Sequence, residues 1–290
     1  AGAGAAALAA AGLHLLSARG ASGGRLLRFR HESRETKTPM TFTVFLPPGA
    51  DDAPGGVPAV LYLSGLTCTD ENAVQKGAFT ADAARLGLAV ILPDTSPRGA
   101  GVSGEEDAYD LGTGAGFYVD ATAEPWRRNY RMESYVTEEL LPMCAAAFPL
   151  NGRTAITGHS MGGHGALTLF FKRPGAFTSA SAFAPICNPS AVPWGHKVFS
   201  AYLGSAELGA AHDASLLVKA YAGPKVPILV DQGMADEFLE TQLEPEALER
   251  ACAEAGHPLT LRRHAGYDHS YSFVASFIKD HLEHHATYLK

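Results

Sequence analysis

The sequence has few cysteines, no basic run and no long apolar stretch, and each absence removes a class of explanation. Its four cysteines, Cys68, Cys144, Cys187 and Cys252, stand far apart and form no C-x-x-C pair. Such spacing supports neither a zinc site nor a disulfide framework, so no metal is expected and reduced thiols in a cytoplasmic protein are the default. Lys and Arg are scattered and the net charge is −7, which argues against a phosphate-tracking surface and against nucleic acid as a partner. No run of about eighteen or more apolar residues offers a membrane span, because Ala and Gly dominate the one candidate, at the N-terminus. No membrane association is expected.

What the chain does have is bulk. At 290 residues, 46% of them hydrophobic, it can bury a large core. No repeat or linker divides it, so a single domain is expected over residues 13–290. Residues 1–12 are almost pure Ala and Gly, without a basic start or an initiator Met. An extension left by processing or added by the expression vector, and disordered, is the expectation there; the apolar part of a secretory signal is the runner-up.

From Leu13 onward the pattern becomes that of an α/β protein. Arg25 to His31 and Met40 to Leu46 alternate as antiparallel strands do. Then strand, loop and helix repeat. Strands are expected at Val57 to Leu63, Leu88 to Leu92, Ser179 to Ala184, Val226 to Val230 and Leu259 to Arg263. Helices are expected at Glu71 to Leu86, Met132 to Ala147, Glu244 to Ala255 and Ser272 to Tyr288. The β-α-β order implies a mostly parallel central sheet flanked by helices. Two stretches break the rhythm: a Gly-rich segment from Ser96 to Gly116, long enough to suggest a functional loop, and a polar and aromatic insertion from Asn188 to about Tyr221.

The organising stretch is Ala155 to Leu169, AITGHSMGGHGALTL. A β-type run ends in Gly158-His159-Ser160-Met161-Gly162 and a small-residue helical run begins at once. A G-x-S-x-G nucleophile elbow needs that context, with Ser160 strained at the apex of a turn where only glycine fits beside it. The elbow and the α/β pattern together point to the α/β-hydrolase architecture.

A serine hydroxyl needs a base, and the base needs an orienting acid. In this architecture the chain order is Ser, acid, His. His269 follows the last strand and so lies at the same sheet edge as Ser160, whereas His257 precedes that strand and His264 is still on or just beyond it. For the acid, Asp231 and Asp236 both follow strand Val226 to Val230. Asp231 ends the strand, where holding the turn is its ordinary role, so Asp236 is favoured. The oxyanion donors expected are the backbone N–H of Met161, after the nucleophile, and that of Leu66, in the turn Ser64 to Thr69. Cys68 lies two residues past Leu66, on a turn expected to face the pocket. His281, His284 and His285 share a helix face at metal-like spacing, but a solvated helix end is the ordinary reading. His159 and His164 are expected to pack or cap locally.

These residues resemble the S-formylglutathione hydrolases, also called esterase D. The matching stretches include Ser64 to Asn72 (SGLTCTDEN), Asp94 to Gly99 (DTSPRG), Leu111 to Thr122 (LGTGAGFYVDAT), Asn129 to Met132 (NYRM), Gly158 to Gly165, Pro193-Trp194-Gly195, Asp231 to Leu239 (DQGMADEFL) and Gly266 to Tyr271. They run from about Leu13 to the C-terminus. The resemblance implies Ser160 as nucleophile, Asp236 as acid, His269 as base and Leu66 and Met161 as oxyanion donors. It also implies a fold without a separate lid domain, hydrolysis of a formyl thioester, and no cofactor. The loop Ser96 to Thr122 and the insertion would wall a small pocket, with Trp194 and Phe117 as bulky faces. Glu133 and His196 depart from the family pattern at positions expected near the substrate entrance. Arg127, Arg128 and Lys197 are candidates to attract glutathione carboxylates, although a solvated surface explains them as well. A small thioester or ester is the expected partner, a homodimer is left open, and the alternative activity is a general short-chain carboxylesterase or acyltransferase. A hydrolase fold reduced to a binding module would lack a triad member, and all three are present.

Overall fold

The first strands set the edge of the sheet. In the computed structural model, which describes residues 12–290, β1 (His14–Ala21), β2 (Gly24–Glu32) and β3 (Pro39–Leu46) form an antiparallel meander. The expectation for the N-terminal extension lies outside the described residues, Gly12 excepted. β2 and β3 carry the alternation or apolar content of strands with a covered face. β1 was not expected, and the reason is physical: nearly all of it is exposed, Leu15 and Leu16 included, so no buried face imprints a period on its sequence.

The remaining strands are β4 (Val57–Leu63), β5 (Ala89–Pro93), β6 (Leu150–Gly158), β7 (Ser181–Phe183), β8 (Ile228–Gly233) and β9 (Leu259–His264). The ladder runs β1-β2-β3-β5-β4-β6, and parallel bridges from Ile156 to Ala180 and from His159 to Phe183 carry it on into β7-β8-β9. From β5 to β9 every pairing is parallel. β4 and β5 are apolar almost throughout, as strands covered on both faces must be. One contiguous hydrophobic cluster runs from Leu13 to Leu289.

Helices cover the sheet, and their boundaries correct several expectations. The helix expected over Glu71 to Leu86 is two, α1 (Asn72–Lys76) and α2 (Thr80–Leu86). Between them a Cβ on Gly77 would lie 2.7 Å from the Ala73 carbonyl oxygen, and Ala78 turns to φ +54°. The helix after the long loop, α3, is continuous through Met132–Ser134, Tyr135–Leu140 and Leu141–Ala147, with a wide π turn in its middle. α4 (Met161–Lys172) is buried from Met161 to Phe171. The insertion is largely helical, with α5 (Pro193–Leu203) and α6 (Ala214–Ala220). Pro193 in the first turn of α5 and a left-handed Gly204 after it are the boundary signals of that helix. α7 (Pro245–Ala255) and α8 (Tyr271–Leu289) complete the layers. β8 starts two residues later than expected because Pro227 has no N–H to give a ladder, and it runs on past Val230 to Gly233, which places Asp231 inside the strand. β7 is shorter than the Ser179 to Ala184 segment expected for it.

Because β4, β6, β8 and β9 are parallel, their C-terminal ends meet at one edge of the sheet. The turn 64–68, the elbow at Ser160, the loop carrying Asp236 and the loop carrying His269 all leave from that edge, which is where open α/β sheets bind ligands.

Candidate active site

Ser160 is buried at the junction of β6 and α4 with φ 59° and ψ −120°, a left-handed backbone that costs a non-glycine residue about 1–3 kcal/mol. The local sequence enforces this. A Cβ on Gly162 would lie 1.9 Å from the Leu63 carbonyl oxygen, and one on Gly158 would lie 2.2 Å from that of Gly162. The backbones of β4, β6 and α4 therefore touch where side chains would hold them apart, and Ser160 is left at the apex. Its N–H donates to the Phe183 carbonyl at 2.9 Å, fixing the elbow to β7.

His269 reaches back from the loop after β9. Its Nε2 lies 2.8 Å from Ser160 Oγ and its Nδ1 lies 2.6 Å from Asp236 Oδ2. A carboxylate only accepts, so Nδ1 carries the proton and Nε2 is left to accept the one on the serine. The Asp236 side chain is fully buried; its Oδ1 accepts from the Phe238 N–H at 2.8 Å and its Oδ2 from Gln232 Nε2 at 3.3 Å. The sequence-expected trio is thus brought together as one hydrogen-bonded chain.

The remaining expected residues divide. Met161 opens α4 directly after the serine, and Gly65 lies against the serine itself, a Cβ there falling 3.1 Å from Ser160 Cβ. Among the described residues the N–H groups of Leu66 and Met161 have no acceptor in the protein. Leu66, Cys68 and Trp194 line a cavity of about 340 Å³ together with Ser160 and His269. Cys68 Sγ lies 3.9 Å from the Tyr271 hydroxyl, and burial pushes its thiol above the ordinary range despite that contact. Trp194 donates from Nε1 to the Tyr109 hydroxyl at 3.1 Å and packs on Phe238 at 4.8 Å, which in turn meets His269 at 5.0 Å.

Phe117 does not wall the cavity. Its ring is wholly buried against His164, and its carbonyl accepts from His164 Nε2 at 3.0 Å. Glu133 is also elsewhere, half of a mostly buried ion pair with Lys172 at 2.6 Å, and His196 is occupied by the Ser190 carbonyl at 2.7 Å. Neither lines the cavity. Lys197 is paired with Asp110 and Arg127 with Glu124. Lining residues not assigned to the cavity from the sequence include Phe238, Tyr271, Tyr109 and His159. A signal existed for the first two, since each sits two positions beyond a residue of the trio. His159 packs on the His269 ring at 4.7 Å, and burial first, then His269 itself, holds its imidazole far below the usual range and therefore neutral.

Asp231 and the C-terminal histidines correct the sequence reading further. Asp231 is fully buried and takes two hydrogen bonds of 2.6 Å from Arg262 and one of 3.1 Å from His281 Nε2. Burial pushes its carboxyl up, but these bonds outweigh it and hold the pKa below the ordinary range. His264, the weaker candidate base, has Nε2 3.2 Å from the other Asp231 oxygen and stacks on Phe277. His281 and His285 are fully buried rather than solvated, bonded to Ser181 and Ser179. Among the described residues no cluster of three or more His, Cys, Asp or Glu is placed to hold a metal ion, and no helix is long and apolar enough to cross a membrane.

Comparison with known proteins agrees with this geometry. Residues 33–284 match the Esterase family model, described as "Putative esterase". The S-formylglutathione hydrolase of Mus musculus is 52% identical over 280 residues, covering 96% of this chain and 99% of that protein. The Bos taurus enzyme of the same name is 52% identical over 270 residues, covering 92% and 95%. The solved structure of an S-formylglutathione hydrolase from Agrobacterium tumefaciens superposes with a TM-score of 0.92 at 46% identity, over 96% of this chain and all of that one. With its mostly parallel sheet, flanking helices and this degree of likeness, the chain is a hydrolase of the α/β-hydrolase type and belongs to the S-formylglutathione hydrolase family.

Proposed function

We infer that the protein hydrolyses S-formylglutathione to formate and glutathione through a formyl-enzyme. The observation that carries this reading is the chain Ser160–His269–Asp236 opening on a cavity beside two N–H groups with no acceptor among the described residues. His269 Nε2 takes the serine proton as Oγ attacks the formyl carbon, and Asp236 steadies the imidazolium that results. The oxyanion rests on the N–H groups of Leu66 and Met161. The C–S bond breaks, glutathione leaves as a thiol on receiving the proton from His269, and water repeats the sequence to release formate. A formyl or acetyl group suits a small cavity faced by Trp194, Phe238 and Tyr271, and short oxyesters are accepted as a side activity.

Such an enzyme serves formaldehyde detoxification in the cytoplasm. Four free cysteines, all buried, agree with a reducing compartment. The deciding experiment compares kcat/KM on S-formylglutathione with that on a short aryl ester. The thioester is expected to win by an order of magnitude or more, and an equal or better rate on the oxyester would return the protein to the general carboxylesterases.

A further inference from the structure

The turn 64–68, which carries the Leu66 N–H, is not held by its own strand alone. Apart from the Cys68 thiol, which meets Tyr271, every outside hydrogen bond found among the described residues at Ser64, Thr67 and Cys68 engages their backbone and comes from one segment, 94–118, the Gly-rich loop without regular structure. The Tyr118 hydroxyl donates to the Ser64 carbonyl at 2.8 Å. The Thr67 N–H donates to the Gly114 carbonyl at 2.9 Å, with Thr67 itself at φ +66°. The Cys68 carbonyl accepts from Thr95 Oγ1 at 2.5 Å and from Arg98 Nη2 at 3.0 Å, and Arg98 is gripped by both oxygens of the buried Asp94 at 2.8 and 3.0 Å.

Tyr118 also touches the other half of the site. A Cβ on Gly165, in the second turn of the nucleophile helix α4, would fall 2.5 Å from the Tyr118 ring. The same helix anchors the residue before it, because His164 Nε2 donates to the Phe117 carbonyl at 3.0 Å. Phe117 and Tyr118 sit at φ +50° and +52°, both in the left-handed region although neither is glycine. Backbone strain at two adjacent bulky residues persists only where the surroundings over-determine it, and here it aims a fully buried ring between the turn and the helix.

We propose that Tyr118 is a positioning residue that spaces the two oxyanion donors, Leu66 on the turn and Met161 on the helix, with Arg98 fixing the far end of the turn. This rests on the reading of those two N–H groups as the oxyanion site. Oxyanion donors act through placement: a shift well under the length of a hydrogen bond at one of them weakens the transition state while leaving ground-state binding nearly untouched.

Tyr118→Phe removes the bond to Ser64 and keeps the ring on Gly165. The readouts are kcat and KM on a short aryl ester, and the inhibition constant of a short-chain trifluoromethyl ketone. Ser160 Oγ adds to the ketone carbonyl carbon, His269 takes the proton, and the oxygen becomes the anion that the two N–H groups hold. In Tyr118→Phe, kcat and ketone affinity are expected to fall together by roughly 10- to 100-fold, with KM within about 3-fold of wild type. Arg98→Ala is expected to lose both in parallel to a smaller degree, and Arg98→Lys to recover part of the loss. A merely structural role lowers the fraction of active enzyme but leaves the ketone constant of the folded fraction unchanged, and that result overturns the proposal. If Tyr118→Phe does not fold, the Arg98 pair decides by the same criterion. Failure of the underlying reading looks different: Ser160→Ala would keep its activity, or the ketone would not inhibit the wild-type enzyme at all.

Discussion

Two Ser–His–Asp chains lie in this molecule. One is Ser160–His269–Asp236 at the sheet edge. The other is Ser181–His281–Asp231 between β7, β8 and α8, where His281 Nδ1 lies 2.8 Å from Ser181 Oγ and Nε2 lies 3.1 Å from Asp231 Oδ2. Residue types and hydrogen-bond lengths are nearly the same in both, yet the second chain has nothing around it that does chemistry. Ser181 sits on an unstrained strand, fully buried, and its hydroxyl is shared with Thr157 and His285 at 2.8 Å each. Asp231 is already committed to Arg262, and the Phe183 ring stacks on His281 at 3.7 Å. A hydrogen-bonded trio is therefore not a catalyst by itself. What separates the pair is access to a cavity, a serine strained out of its strand, and free N–H groups beside it.

The comparison breaks most sharply at the serines. Ser160→Ala should lower kcat on the order of 10³-fold or more with its melting temperature near wild type. Ser181→Ala should leave kcat within about 2-fold and cost about 1–2 kcal/mol, read in a urea titration, because several buried groups lose a partner. The reverse pattern would exchange the roles of the two trios.

The acids sharpen it. Asp236→Asn should cripple kcat, since the wrong imidazole tautomer is then held, with little change in stability. Asp231→Asn should keep most of kcat and lose about 2–3 kcal/mol, less than a fully buried ion pair because Arg262 is about a third exposed. A crippled Asp231→Asn of wild-type stability would overturn the assignment of the acid.

Proton uptake provides a gentler test of the sealed interior. His281 is held neutral chiefly by burial, although Asp231 works against this; burial likewise lowers His164 and His212 to about 3 and His284 to about 4. The unfolded chain protonates these residues below about pH 6.5 while the fold excludes the proton, so the unfolded state binds more protons and stability falls as pH drops from there toward 4. Each histidine contributes up to about 1.4 kcal/mol per pH unit in that window. His164→Gln should flatten the slope measured in denaturant titrations from pH 7 to 5, and an unchanged slope would show that His164 is not among the groups responsible.

The smallest expected effect concerns the thiols. Cys68 lines the cavity, while Cys144, Cys187 and Cys252 are packed in the core. Cys68→Ser should retain activity within about 3-fold and become resistant to alkylating reagents that slow the wild type, because a small buried thiol is replaceable but a bulky adduct fills the cavity. Equal sensitivity in wild type and variant would move the effect to another cysteine.

Much of this was legible in the sequence because local physics dictates it. G-H-S-M-G between an apolar strand and a small-residue helix admits one backbone solution, and the order of serine, acid and histidine around parallel strands places all three at one edge. Leu66, and Cys68 two residues past it, followed from the turn after the strand Val57 to Leu63, and the matched stretch SGLTCTDEN implied the same oxyanion donor. What stayed hidden depended on neighbours far away in the chain. His281 and His285 read as a solvated helix end, since nothing in their own segment reveals that β7 and β8 bury them. Phe117 read as a pocket wall because it lies in a loop that does form one, but its strained backbone turns the ring into the core. Glu133 looked like a substrate-entrance residue until Lys172, on another helix, claimed it. The sequence by itself determined the elbow, which one short segment encodes, and the parallel sheet and the choice of Ser160, Asp236 and His269, which follow from the order of elements along the chain. Only the tertiary structure decided which of two similar trios faces a cavity, because access, strain and free N–H groups arise where segments remote in sequence meet.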